Sequence, residues 1–256
     1  MQPVLQGILV VGASIVLAVL GLELFQRLLP PTLRLEEQEI AGHFSATIDR
    51  LYGVLLAFVV VLVWNHFDDG KVIIAREANQ IGDISRMAKS LSPPTEQAIR
   101  KALINYTSAV IEDEWPAMAR HQESTRAWFA LGELWKTVRE VQPSTAQQTV
   151  VYDRILFRLN ELSDSRRLRL LASEDKVPPV LWVLLILGAA STIASTYFLR
   201  LNRHAPQVLL TVMVAGVIGF ILFLILGLNS PFAGSIRLGP DALQHELQRI
   251  QSPENE

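Results

Sequence analysis

The stretch VVVLVWNHFDDGKVIIAREANQ, Val59 to Gln80, decides how the chain is read. Up to Trp64 it is hydrocarbon, and within the next few residues it turns charged. No proline stands between Leu51 and Ser92 to stop a helix, and Gly70 is only a weak breaker. The sequence therefore predicts one helix that leaves lipid and continues into water, a rod of about 40 residues reaching roughly 60 Å. Such a rod suits a protein that moves something, or some signal, across a membrane boundary. A plain helical stalk accounts for the same residues.

Outward from this stretch, four runs are long and apolar enough to cross a bilayer core, which takes about 20 helical residues. They are Val4 to Leu22, Ile48 to Phe67, Pro179 to Leu199 and Pro206 to Leu228. Val180 to Leu199 and Val208 to Leu228 carry no charge at all, which argues against buried core helices of a soluble protein. The first run lacks a basic leader and is followed by GLELFQRLLPP in place of a small-residue cleavage site, so it reads as a retained helix. Trp64 and Trp182 fall at the interface next to the long central segment and are the expected interface anchors; Tyr52 and Tyr197 lie toward the opposite one. With four spans both termini share a side with that segment. Its lysines and arginines near the helix ends outnumber those opposite, which favours a cytoplasmic central domain in a bacterial inner (plasma) membrane protein.

The totals are consistent with this. The 256 residues are 50% apolar with net charge -2, which gives no basic bias for nucleic acid. The absence of cysteine removes disulfides, thiolate metal sites and cysteine nucleophiles. Between Asp68 and Lys176 there are 16 basic and 16 acidic residues, with apolar positions at helical spacing: Ile74, Ala78, Ile81 and Ile84; Ile99, Leu103 and Tyr106; Leu131, Leu134 and Val138; Ile155, Leu159 and Leu162. Turn signals lie at Ser92 to Thr95, at Trp115 with Pro116, and at Gln142 to Thr145, where Ser144 and Gln147 fit a capping box. The fold class is thus an all-α membrane protein with a helical bundle between the second and third spans. The expected divisions are 1–67, 68–177, 178–229 and a C-terminal tail, 230–256.

Chemistry is sparse. His66, Asp68 and Asp69 place an imidazole and two carboxylates at a helix end, but the spacing matches no metal-ligand pattern, and a solvated helix end explains it as well. Glu112 to Glu114 reads as a solvated terminus or as salt-bridge partners for the domain's arginines. Arg166, Arg167 and Arg169, just ahead of the third span, are expected at lipid headgroups. Phosphate-loop, dinucleotide, zinc-protease and serine-hydrolase signatures are missing, so neither an enzyme nor a cofactor is expected. Asp49 and Arg50 at the start of the second span either pair or mark its wet end. Small residues recur every four positions, at Gly188, Thr192 and Thr196 and at Ala215 and Gly219, which lets helices approach closely within or between subunits. Tyr52, Leu56, Val59, Val63 and His66 share one face of the second span. Repeated around an axis they would form an apolar constriction ending in a polar ring, although core packing or lipid contact fits the same face.

YGVLLAFVVVLVWNHFDD (Tyr52 to Asp69), EDEWPAM (Glu112 to Met118), LNELSDSRRLRLL (Leu159 to Leu171) and NSPFAGSIRLGPDAL (Asn229 to Leu243) resemble the bacterial membrane proteins grouped as a bestrophin-like domain. The resemblance runs in order over nearly all of the chain after residue 40. It implies remote similarity to bestrophins, homo-oligomeric and typically pentameric ion channels with four spans per subunit and a pore-lining second helix. The implied function is a homo-oligomeric channel for monovalent ions in the lipid bilayer. The alternative is a non-conducting scaffold or sensor whose helical domain recruits a partner.

Overall fold

The structure, a computed structural model, describes residues 2–28, 38–120, 122–174, 176–198, 204–234 and 236–252, with side chains from Val4 in the first helix and from Ala46 in the second. Regular structure among these residues is helical, without strands. In chain order the helices are α1 (Gln2–Leu28), α2 (Gln38–Ala88), α3 (Pro93–Ala109), α4 (Trp115–Met118), α5 (Thr125–Arg139), α6 (Ala146–Glu174), α7 (Pro179–Phe198), α8 (His204–Leu228) and α9 (Asp241–Gln251). A π-helical turn, Val110–Glu114, joins α3 to α4. As the apolar runs predict, α1, α2, α7 and α8 have the length and composition to span a membrane. α2 is one unbroken helix of 51 residues.

The chain forms two compact units. One comprises Met1–Asn65, Lys176–Asn229 and Gly234–Ile236, and holds the apolar helices. Here α1 lies along α8 because small residues remove the obstacle between backbones. A β-carbon added at Gly219 would overlap Ser14, and the Ser14 hydroxyl is 2.8 Å from the Val11 carbonyl and 3.0 Å from that of Ala215 across the helix pair. Gly188 on α7 takes the Tyr52 ring of α2 against its bare backbone. The small-residue faces are therefore spent on packing inside the subunit. Tyr197 also turns inward and donates to the Ala18 carbonyl at 2.8 Å, and Tyr52 is buried.

The other unit comprises His66–Asp175, Ser230–Ala233 and Arg237–Glu256. Its core is the apolar periodicity of the sequence made solid: Ile81 and Ile84 of α2, Ile99 and Leu103 of α3, Leu134 of α5, and Leu159 and Leu162 of α6 are essentially inaccessible. α3 starts on Pro93 and Pro94, where missing N–H groups cost nothing. α5 is capped by Ser124, whose hydroxyl accepts from the Ala127 amide at 3.2 Å. The cap expected at Ser144 lies one residue on: Thr145 Oγ1 accepts from the Gln148 amide at 3.1 Å, and the Gln148 side chain reaches back to the Ser144 amide at 3.0 Å.

Pro116 does not separate two helices as its turn signal suggests. The π-helical turn widens the ladder just before the proline, with the Trp115 amide bonded to the Val110 carbonyl, and the chain stays helical through Met118. The tail returns to this unit as well: Trp115 donates to the Leu238 carbonyl at 3.3 Å, its ring meets Phe232 edge-on, and Leu243 and Ile250 of α9 are buried.

Candidate functional site

The face of α2 that carries Tyr52, Leu56, Val59 and Val63 is buried within the chain, Val59 to 0% and Val63 to 1% exposure, and His66 is half-buried. The residues expected to line a pore therefore pack against other parts of the same chain, with His66 part-way out. Spacing cannot separate this face from its neighbour. A second stripe with the same rhythm, Val54, Phe58, Val61 and Asn65, lies uncovered, with Val54 at 69%, Phe58 at 63% and Val61 at 56% exposure. Along the same helix the rhythm continues through Asp68, Val72, Ala75 and Asn79, all exposed.

Trp64 projects from α2 with about half of its surface open, and Trp182 near the start of α7 is half-buried. Asp68 and Asp69 are exposed, and Asp68 stands 4.0 Å from Lys71, which also lies over the Phe67 ring at 4.9 Å. Among the described residues no three His, Asp or Glu side chains converge as a metal site.

The arginines expected at headgroups behave differently. Arg167 is exposed, but Arg166 and Arg169 turn into the second unit's core. The physical reason is a set of carboxylates already waiting there. Arg169 is fully buried; its Nε donates to Glu77 Oε2 at 2.6 Å and its Nη2 to Glu114 Oε1 at 2.7 Å. Arg166 closes on Glu114 through Nε, at 3.1 Å to each carboxylate oxygen, and through Nη2. The Tyr106 hydroxyl donates to Glu77 Oε1 at 2.7 Å, and the Trp115 ring lies 5.4 Å from the Arg169 guanidinium carbon.

Two carboxylates and two guanidiniums make this cluster neutral, so no net charge is left in the core. Burial alone would lower the Arg169 pKa, but Glu77 and Glu114 outweigh it and hold the guanidinium charged more firmly than usual. Burial, followed by the neighbouring Glu77 carboxylate, pushes the Tyr106 phenol well above its ordinary range. The cluster ties α2, α3, the π-helical turn and α6 together. Of the acidic run, Glu114 is thus a buried partner, while Glu112 and Asp113 meet Arg126 at the surface, at 3.1 and 2.6 Å. One sequence signal could have found the cluster: Glu77 falls on the same helical face as Ile74, Ala78 and Ile81, where a lone carboxylate needs a partner.

A bestrophin-like domain matches residues 12–243. The chain belongs to the bestrophin-like family. Solved structures of a bestrophin homologue from Klebsiella pneumoniae share the fold. One single-substitution variant superposes with a TM-score of 0.72 at 10% identity, covering 96% of this chain and 100% of that one. The form phased on zinc gives 0.67 at 12% identity over 95% and 96% of the two chains. Another variant gives 0.64 at 14% identity over 98% and 97%. No curated protein matches the sequence. For a bestrophin-like chain, then, the uncovered α2 stripe and the buried ion-pair cluster are features of a four-span subunit whose fold is shared across great sequence distance.

Proposed function

We propose that the protein is a homo-oligomeric ion channel of the bacterial inner membrane, with the outward stripe of α2 facing a shared axis and the helical unit on the cytoplasmic side. The uncovered stripe carries this reading: Val54, Phe58 and Val61 in a row, followed by Asn65, on a helix whose opposite face is already packed. Around an axis these side chains form an apolar neck that dewets when narrow, and then a polar ring. Asp68 and Asp69 follow on the same helix and raise the local concentration of monovalent cations. Membership of the bestrophin-like family supports the oligomeric arrangement, with five copies as the number to test first. Trp64 and Trp182 then mark the headgroup level, and Arg167 is the arginine left to meet lipid phosphate.

The test is conductance of the purified protein in planar bilayers under varied salt, voltage and pH. Phe58→Ser is expected to raise single-channel conductance, because it shortens the dry segment. Val59→Ser, on the packed face, is expected to leave conductance unchanged. Absence of current in wild type and Phe58→Ser alike defeats the reading. In that case the second reading gains: a non-conducting scaffold offering exposed Trp128 and Phe129 of α5 to a partner protein.

A further inference from the structure

Among the described residues of the membrane-type unit, Asp49 is a carboxylate without a cationic partner. Asp49 lies on α2 at the start of its apolar run, and no lysine or arginine is paired with it among the described residues. Arg50 follows it in sequence but is exposed and leaves the other side of the helix. What faces Asp49 is α7. The Ser195 hydroxyl lies 3.2 Å from Asp49 Oδ2 and 2.8 Å from the Thr192 carbonyl. A serine hydroxyl carries one proton, which Ser195 shares between these two acceptors, so Asp49 Oδ2 receives part of one hydrogen bond.

Three further oxygens are buried here without any hydrogen-bond partner: Asp49 Oδ1, the Tyr52 hydroxyl and Thr192 Oγ1. Tyr52 is only 5% exposed, and its ring lies against Gly188. Gly188, Thr192 and Ser195 occupy successive turns of α7, while Asp49 and Tyr52 occupy successive turns of α2. The unsatisfied oxygens therefore belong to neighbouring turns of α2 and α7 around the Asp49–Ser195 contact.

Leaving so many polar atoms unpaired in an apolar setting is costly. We propose that Asp49, Tyr52, Thr192 and Ser195 form an oxygen-only site that binds one dehydrated monovalent alkali cation between α2 and α7. The ligand chemistry is that of a hard cation, which takes carboxylate and hydroxyl oxygens. One carboxylate with three neutral hydroxyls carries a single negative charge. A monovalent ion neutralises it, whereas a divalent ion would leave net charge inside the helix pair. The site does not depend on the α2 stripe that faces away from it, and it is testable whether or not the protein conducts.

The experiment is thermal unfolding of the full chain in detergent, at constant ionic strength, with NaCl, KCl or N-methyl-D-glucamine chloride. Sodium or potassium is expected to raise the midpoint saturably, on the order of 3 °C at tenfold excess over its dissociation constant. Asp49→Asn is expected to abolish that rise. Thr192→Val and Tyr52→Phe keep the shape of the side chain, and they separate the possibilities without disturbing the fold. With a cation site they lower the midpoint in alkali salt and raise it in N-methyl-D-glucamine. With water or nothing in the gap they shift it equally in all three salts, which overturns the proposal. Identical wild-type midpoints in the three salts overturn it too.

Discussion

Arg169 bridges two buried carboxylates, and its removal leaves Glu77 without a cationic partner and Glu114 to Arg166 alone. Arg169→Ala is expected to lower stability by about 3–5 kcal/mol, the range for breaking a buried pair from one side. Arg126, which meets Glu112 and Asp113 in solvent, is expected to change the unfolding midpoint little when replaced by alanine, because water screens that pair. Differential unfolding of the two variants in detergent checks both. Tyr106 adds a dependence on pH. Its folded pKa is raised, so the neutral phenol contributes stability that is fully present below the ordinary value of 10. The unfolded chain ionises above that value while the folded one resists, and stability falls as pH rises further. Tyr106→Phe is expected to flatten this alkaline limb in a pH series of unfolding midpoints, at the cost of the hydrogen bond to Glu77 at neutral pH.

At the scale of the helix, Gly219→Leu is expected to pry α1 from α8 and cost about 1–3 kcal/mol, read from the same unfolding measurement. The four spans are legible in the sequence because bilayer thickness demands a run of hydrocarbon that little else in a soluble domain needs. The helical periodicity from Ile74 to Leu162 is legible for a similar reason, since water and core make opposite demands on opposite faces. The orientation of α2 is not legible. Val59 and Phe58 are both apolar because packed core, lipid and a dry neck ask for the same chemistry, so spacing offers two stripes and no means of choosing. Arg166 and Arg169 mislead differently: beside a span, basic residues usually meet phosphate, and nothing local to SDSRRLRLL announces Glu77 and Glu114, which come from distant turns. Pro116 misleads because a π-helical turn absorbs it.

For the whole molecule, the proposed oligomer assigns different neighbours to the two faces of α2. The chain has no cysteine, so Phe58→Cys introduces a single thiol. Oxidation is expected to give covalent dimers from Phe58→Cys, and none from Val59→Cys, on non-reducing gels; equal cross-linking would remove the basis for an axis along the outward stripe. Light scattering in detergent reports the number of copies. Deleting residues from Asp241 onward removes the buried Leu243 and Ile250. That truncation is expected to lower the unfolding midpoint by several degrees, since each lost apolar side chain contributes roughly 1.5–3 kcal/mol.

Glu77 and Phe58 ride on the same uninterrupted helix, roughly five turns apart. A helical ladder resists torsion, so clamping Glu77 between Arg169 and the Tyr106 hydroxyl fixes the azimuth of this part of α2 within the helical unit. Turning this part of α2 about its own axis would wrench a carboxylate out of its guanidinium grip in the dry interior.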